Sequence, residues 1–262
     1  MGTAAIAFRD LGGSLLRLPL AARLAADDIH GKYRRTVLGP LWISLGQAAM
    51  IAGFILVFSG LFNIEPQTYA LYLAAGFPVW GFLSLYLADM PNTFIVNKGL
   101  LESYELPWLT LIWRRSIGYF LLFLHHIITL VALMAILRVT PTIEMLYAIP
   151  ALLITIIAGT GVGMLLATIG ARYRDVQPAM QMAAGFLFMF TPVMWRADQL
   201  QVNTWAYEYN PLYYYVTLVR EPLLGRVPAP EIWMGAGAGA AALFVVGFLA
   251  FLIGRRQLYH WL

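Results

Sequence analysis

Two short clusters of basic residues are the strongest candidates for chemistry in this chain, because guanidinium and ammonium groups bind phosphate oxygens. The first cluster directly precedes a long apolar run and the second directly follows another; they are Lys32, Arg34 and Arg35, and Arg172 and Arg174. Basic residues at headgroup depth also set topology and attract anionic lipid, at about 1 kcal/mol each. Two interpretations therefore stay open: topology-setting charge, or a site for the phosphate or diphosphate of a lipid-linked substrate.

Other residue types that often do chemistry lack the spacing that it needs. The adjacent His125 and His126 would point about 100° apart on a helix, so they cannot hold one metal together. We predict neutral, hydrogen-bonded imidazoles there, with a place on a substrate path as the alternative. Gly159 and Gly163 belong to a glycine-rich stretch with no Lys-Ser/Thr after it, so close helix packing is favoured over nucleotide binding. Because the chain has no cysteine either, we expect no catalytic residue and no metal site.

The composition is that of a chain solvated by lipid. Hydrophobic residues make up 61% and charged residues 11%, against about 25% charged in a soluble domain. Six apolar runs are of the length that crosses a hydrocarbon core of about 30 Å at about 1.5 Å per residue. The predicted spans are Leu41–Phe62, Tyr69–Met90, Leu111–Leu137, Tyr147–Gly170, Ala179–Met194 and Ile232–Ile253.

Lysine and arginine are distributed unequally between the two sides of these spans. The N-terminal segment, the second and fourth loops and the C-terminus hold 13 of the 17 such residues, and the alternate loops hold four. This bias predicts that both termini are cytoplasmic. No cleavable signal peptide is expected, since the first apolar run begins near Leu41 behind a basic segment. We predict one all-α transmembrane domain, residues 1–262, in which residues 1–40 are cytoplasmic or interfacial and residues 41–262 form the six-helix bundle.

Three segments outside the spans are predicted to form short helices. Phe8, Leu11 and Leu15 fall at helical spacing and predict an amphipathic N-terminal helix that lies on the membrane, with an ordinary surface helix as the alternative. The cytoplasmic loop Pro91–Thr110 predicts an amphipathic helix with a face for a docking partner; its candidate residues are Lys98, Leu100, Leu101, Glu102 and Glu105. The external loop Trp195–Glu231 is rich in aromatic residues and long enough for two short interfacial or re-entrant helices.

Aromatic residues inside the spans offer a second kind of candidate site. Flat rings stack on the apolar faces of sugar rings without demanding one linkage, so they suit a path for a sliding polymer. Contact with lipid or with the protein core is the alternative for each of them. The predicted path residues are Trp42, Phe54, Phe58, Trp80 and Tyr86.

Several motifs, in order along the chain, resemble bacterial polysaccharide exporter permeases of the type-2 ABC family. They are Gly31–Trp42, Ala171–Val176, Thr191–Trp195, and Asn210–Leu212 followed by Arg220–Gly225. The resemblance runs from about Phe8 to Leu262. Permeases of this kind export O-antigen, capsule or teichoic acid across the inner membrane, and O-antigen export is a step of lipopolysaccharide biosynthesis.

The resemblance implies a homodimer that works with two copies of a separate ABC ATPase. ATP and magnesium would be bound by that ATPase, so no cofactor is expected in this chain and no nucleic acid among its partners. The N-terminal helix would act as a cytoplasmic gate, and the helix in the loop Pro91–Thr110 would couple to the ATPase. The external region would supply gate helices, with the residues Trp195, Tyr209, Tyr213, Tyr214 and Arg220.

Other functions remain compatible with the sequence. A type-2 ABC permease for a drug, haem or a simple lipid is the nearest alternative. A membrane-embedded lipid-sugar transferase would need paired carboxylates, which the cytoplasmic loops lack apart from Asp27 and Asp28. A passive channel or scaffold would work without nucleotide. Because the chain has no Walker-type glycine-lysine motif, ATP-driven transport would require another polypeptide for hydrolysis.

Overall fold

The protein is all-helical in the part of the chain that the computed structural model describes, residues 3–199 and 204–262. Helices account for 82% of it and no strand occurs in these two ranges. The helices are α1 (Thr3–Leu16), α2 (Leu18–Tyr33), α3 (Leu41–Leu61), α4 (Pro66–Ala88), α5 (Thr93–Val96), α6 (Lys98–Ser103), α7 (Leu109–Ile136), α8 (Ala148–Arg172), α9 (Val176–Phe190), α10 (Trp205–Glu208), α11 (Pro211–Leu223), α12 (Pro230–Gly254) and α13 (Leu258–Trp261).

Five helical segments are long and apolar enough to cross a membrane. They contain α3, α4, α7, α8 and α12, which correspond to the predicted spans one to four and six. The fifth predicted span corresponds to α9, whose 15 residues extend about 22 Å, less than the hydrocarbon core of about 30 Å. Helix α9 ends four residues earlier than predicted because Thr191 is extended and precedes Pro192, and a residue before proline disfavours helical geometry.

Helices α4 and α8 form the centre of the bundle. The most apolar windows of their segments are 72% and 56% buried, against 17% for α3 and 22% for α12. Large aromatic side chains such as Tyr69, Phe82 and Tyr86 on α4 are almost fully buried. Helices α3 and α12 therefore present broad apolar faces outward, as expected of helices that contact lipid or another membrane-embedded chain.

Helices α8 and α12 meet at a glycine interface, which we call the α8–α12 seam. A Cβ on Gly161 would lie 2.5 Å from the main-chain oxygen of Leu243, and a Cβ on Gly247 would overlap the backbone of Gly161. Glycine at both positions lets the two backbones touch. Gly159 receives the ring of Tyr86 at similarly close range, so the predicted role of this glycine stretch in close packing is confirmed.

The N-terminal helices dock on the bundle. Asp28 of α2 forms a bidentate ion pair with Arg114 of α7, with distances of 2.5 and 2.8 Å. Phe8 of α1 contacts Phe248 of α12, with ring centroids 5.1 Å apart. Lys98 Nζ of α6 donates a hydrogen bond of 2.7 Å to the main-chain oxygen of Leu262. Helices α1, α2, α6 and α13 thus lie at one end of the bundle, which we call the terminal face.

Candidate translocation groove, coupling loop and external cluster

A groove with a volume of about 780 Å³ opens between α3, α4, α7 and α9. Lys32, at the end of α2, stands among its lining residues, together with the tryptophans Trp42 and Trp80. The lining is mostly apolar, and its aromatic members are Tyr33, Trp42, Phe77, Trp80, Phe82, Tyr119, Phe123 and Phe188. An apolar, concave lining with a few polar groups is the usual composition of a binding site for a large organic ligand.

Three side chains that line the groove have polar atoms without hydrogen-bond partners among the described residues: Gln47, Tyr119 and His126. Gln47 is 4% exposed, and neither its amide nitrogen nor its amide oxygen is paired. The Nδ1 atom of His126 is also buried and unpaired. Leaving a buried polar group unpaired costs about 1–3 kcal/mol. Such atoms also occur in the core, for example on Tyr86 and Tyr215, but Gln47 contributes two of them, more than any other described residue. Its amide is therefore the strongest candidate for a ligand contact in the groove.

The two histidines behave differently. His125 Nδ1 lies 2.7 Å from the carbonyl oxygen of Leu121, as the prediction of hydrogen-bonded imidazoles requires, whereas His126 faces the groove. Sequence reasoning singled out His126 but missed Gln47. The available signal was a glutamine in the middle of an apolar span, where an uncharged amide attracts less attention than an ionisable group.

The predicted path aromatics divide into two groups. Trp42 and Trp80 line the groove, and Phe54 and Phe58 stack with ring centroids 5.4 Å apart along α3. Phe54 also contacts the groove residue Phe77 at 5.2 Å, so the ladder of rings continues from the groove. Tyr86 departs from the prediction: it is 1% exposed and belongs to the core. Gly159 on α8 leaves room for the ring of Tyr86, which therefore packs inward. This contact cannot be inferred from the spacing along α4.

The two basic clusters occupy different surroundings. Lys32, Arg34 and Arg35 are exposed, and Lys32 lines the groove. Neither Arg172 nor Arg174 lines it, although both are exposed at the end of α8. The guanidinium of Arg172 instead lies 5.0 Å from the ring centre of Tyr173 and 5.4 Å from that of Trp261.

The predicted amphipathic helix of the loop Pro91–Thr110 is present as α6, after the single turn α5. Leu101 is buried and Leu100 half-buried, whereas Lys98 and Glu102 are exposed and form an ion pair of 3.7 Å. Glu105 is exposed as well, and its carbonyl oxygen accepts a hydrogen bond of 3.0 Å from Arg17 Nη1. The charged face of α6 is therefore open on the terminal face.

The loop Trp195–Glu231, which is predicted to be external, contains the helices α10 and α11; its residues 200–203 lie outside the described ranges. Trp195, Tyr207 and Tyr213 form a chain of ring contacts, with centroid distances of 6.1 and 5.1 Å. Tyr214 contacts Tyr213 at 5.5 Å, whereas Tyr209 is 85% exposed. Four of these five tyrosine and tryptophan residues thus form one cluster, which we call the external ring cluster.

Arg220 is buried, unlike the other residues predicted for the external gate. Its Nη1 donates hydrogen bonds to the Tyr72 hydroxyl at 2.7 Å and to the Pro192 carbonyl at 2.5 Å. It therefore fixes the turn after α9 to α4. Beside it lies a cavity of about 520 Å³ that Arg196 and Asp198 also line. The hydrogen bonds that Arg196 donates to the Asp198 carboxylate raise the pKa of Arg196.

Comparison with known proteins assigns this arrangement of helices to a family. The family model for ABC-2 type transporters matches residues 23–224. The chain is similar to an O-antigen export system permease protein RfbA of Klebsiella pneumoniae, with 21% identity over 229 residues, which cover 87% of this chain and 86% of the relative. A second RfbA permease of the same species is 21% identical over 187 residues, which cover 71% and 72% of the two chains. The chain therefore belongs to the ABC-2 type transporter family, as a multi-pass permease subunit of the bacterial inner membrane that works with an ABC ATPase.

Proposed function

We propose that this chain is the transmembrane subunit of an ATP-driven exporter that moves a lipid-linked, O-antigen-like polysaccharide across the cytoplasmic membrane. Two copies of the chain form the channel and two copies of a separate ATPase bind ATP and magnesium. The observation that carries the proposal is the likeness to O-antigen export permeases over 87% of the chain. The match includes residues on all four helices that line the groove.

Six crossings, with both termini in the cytoplasm, fit the contacts at the terminal face. The N-terminal helix α1 contacts α12 near its end, and α6 contacts Leu262. Segments before the first span and after the last one can meet only if the chain crosses an even number of times between them. With five long helices, α9 and the turn around Pro192 supply the remaining crossing. The basic residues favour the cytoplasm for this face.

The lipid carrier is held by its phosphate groups at the mouth of the groove. Lys32 lines the groove, and Arg34 and Arg35 follow it within one turn of chain. Arginine and lysine bind phosphate oxygens strongly at headgroup depth. Arg172 and Arg174 attract anionic headgroups at a second position along the same face, where Arg172 also stacks against Trp261.

The glycan passes along the aromatic wall of the groove. Trp42, Trp80 and the α3 ladder of Phe54 and Phe58 offer flat apolar faces to sugar rings. Gln47 and His126 recognise sugar hydroxyls rather than phosphate. A phosphate oxygen only accepts hydrogen bonds, whereas the unpaired amide presents both a donor and an acceptor, and a hydroxyl satisfies both.

A second copy of the chain completes the channel. Helix α3 is buried over 17% of its apolar window, and the groove stays open beside it. A partner copy packed against this exposed face would enclose the path and remove apolar surface from lipid. The external ring cluster forms the exit gate, with Trp195, Tyr213 and Tyr214 as its rings and the exposed Tyr209 at its edge. Arg220 anchors the cluster through Pro192.

ATP hydrolysis reaches the channel through α6. Its exposed Lys98, Glu102 and Glu105 contact the ATPase, while Leu100 and Leu101 hold the helix to the bundle. This chain contributes no catalytic residue to hydrolysis.

Reconstitution of the complex tests the proposal. In proteoliposomes that contain the permease and its ATPase, a polyprenyl-diphosphate-linked oligosaccharide should stimulate ATP hydrolysis and be transported only with ATP. Transport without the ATPase subunit would contradict the proposal. Stimulation by a drug, haem or a simple lipid, with no response to the glycan, would assign the permease to another substrate.

A further inference from the structure

Arg255, the residue directly after α12, contacts three separate segments of the chain. Its guanidinium forms an ion pair with Asp10 of α1, and both side chains are less than a tenth exposed. The same guanidinium lies 4.9 Å from the ring centre of Trp108 and 5.6 Å from that of Tyr259. Trp108 is fully buried and directly follows Pro107, at the end of the loop Pro91–Thr110, which we call the coupling loop.

The end of the coupling loop makes further contacts with α1. A Cβ on Gly13 would lie 3.1 Å from the ring of Pro107, so the helix and the loop are in close contact there. Arg17, just after α1, donates to the carbonyl oxygen of Glu105. The α1 side of these contacts spans two turns of helix, and the loop side spans Glu105 to Trp108.

A buried charge pair of this kind is a poor way to gain stability. Removing two charges from water costs about as much as their attraction returns, so an apolar pair would serve a static joint as well. The pair does fix the position of α1 relative to the end of α12, because each buried charge must stay with its partner. Stacking of the guanidinium on Trp108 adds a contact that depends on the position of the loop.

We infer that Arg255 is a positioning residue for transport, which fastens α1, the end of the coupling loop and the end of α12 into one rigid unit. This inference rests on the proposed function. A displacement of the loop by the ATPase then moves α1 directly, and with it the cytoplasmic mouth of the groove. Asp10 and Trp108 are the two contacts through which Arg255 acts.

Substitutions at the ion pair test the inference in the reconstituted complex with its ATPase. Arg255→Gln and Asp10→Asn should lower oligosaccharide export about tenfold, a typical size for a lost coupling, while ATP hydrolysis persists. The exported amount per ATP hydrolysed therefore falls. Arg23→Gln, at an exposed position of α2, is the matched control and should leave this ratio unchanged. Equal export per ATP in Arg255→Gln and the unaltered chain would overturn the inference.

The charge swap Asp10→Arg with Arg255→Asp separates coupling from folding. The swap restores attraction between α1 and α12, but an aspartate cannot stack on Trp108, so assembly should recover while export per ATP stays low. Full recovery of export would mean that transport does not need the contact with Trp108, and would overturn the inference.

A thiol cross-link decides the matter even if those variants fail to assemble. The chain has no cysteine, so Phe8→Cys with Phe248→Cys gives a single site for a cleavable bifunctional reagent between α1 and α12. If the two helices move as one unit, the cross-linked complex exports within about twofold of the same variant after cleavage. Export blocked by the cross-link and released by cleavage would overturn the inference. If the complex of the unaltered chain neither hydrolyses ATP faster with the oligosaccharide nor transports it, the proposed function itself is refuted.

Discussion

The α8–α12 seam and the groove are two opposite ways of using helix surfaces in one bundle. In the seam, Gly161 and Gly247 bring two backbones into contact and leave no room for another group. In the groove, bulky rings on α3, α4, α7 and α9 hold the helices apart and enclose a volume of about 780 Å³. Small residues join the helices of a membrane bundle tightly, whereas large ones at the same depth keep a path open.

The polar groups of helix α8 and those of the groove also differ in whether they are hydrogen-bonded. On α8, Thr155, Thr160 and Thr168 each bond the carbonyl oxygen four residues earlier, so their hydroxyls are satisfied within the helix. In the groove, Gln47 and His126 keep unpaired atoms. Unpaired hydroxyls also occur in the core, on Tyr86 and Tyr215, but Gln47 keeps both a donor and an acceptor group unpaired within the groove. A binding site leaves such groups for its ligand.

The largest effect is expected in the seam. Gly247→Leu forces a side chain into the backbone of Gly161, so the seam must separate, at a cost of about 3 kcal/mol or more. Thermal unfolding of the purified permease in detergent should show a greatly lowered midpoint or no folded protein. Gly237→Leu is the control on the same helix, since a Cβ at Gly237 meets nothing within 4 Å. Equal stability of the two variants would mean that the seam is not closely packed.

The next effect belongs to the mouth of the groove. Replacing Lys32, Arg34 and Arg35 together by Gln removes three cations, each worth about 1 kcal/mol toward a phosphorylated headgroup, so export should fall by up to about a hundredfold. Membrane insertion and assembly with the ATPase should persist, because six other basic residues in the N-terminal segment and the second loop still set topology. Export by proteoliposomes measures the effect, and undiminished export by the triple variant would remove the phosphate site.

A smaller loss of export, together with unchanged or higher stability, is expected inside the groove. Gln47→Leu deletes two unpaired polar atoms, so the thermal midpoint should stay constant or rise. Export should nevertheless fall about fivefold, the equivalent of one neutral hydrogen bond to a sugar hydroxyl. Gln181→Leu, at an exposed position of α9, is the matched control. Lower stability with unchanged export would show that Gln47 serves the fold and not the ligand.

The smallest effect concerns the external anchor. Tyr72→Phe removes the hydroxyl that accepts from Arg220 and donates to the Trp195 carbonyl, at a cost of about 1 kcal/mol. The ring stays beneath the guanidinium, so the midpoint should fall by only a few degrees and export should change little. A loss of export as large as that of the basic-cluster variant would mean that this anchor belongs to the gate mechanism itself.

Much of the fold could be predicted because every helix that crosses the hydrocarbon core must be long and apolar. Helix length and apolar composition identified five spans directly, whereas α9 begins three residues before the predicted fifth span and ends four residues before it does, at Thr191 and Pro192. The site was harder to predict, since membership of the groove depends on which face of a helix meets which neighbour. Trp80 and Tyr86 lie six residues apart on α4, yet one lines the groove and the other fills the core beside Gly159.

Contacts between distant segments were beyond sequence reasoning altogether. The pairing of Asp10 with Arg255 joins residues 245 positions apart, and no local pattern indicates it. The same holds for Arg220, for which an external gate role was predicted: no local pattern indicates its burial or its bond to Tyr72.

Site-specific photo-cross-linking tests whether the groove carries the lipid-linked glycan. A photoreactive amino acid in place of Met50, on the groove, is compared with one in place of Ile253, which is 75% exposed on α12. In proteoliposomes with the ATPase and the polyprenyl-linked oligosaccharide, we expect glycan adducts at position 50 whose yield changes with ATP, and few at position 253. Equal yields at both positions, or none at position 50, would contradict it.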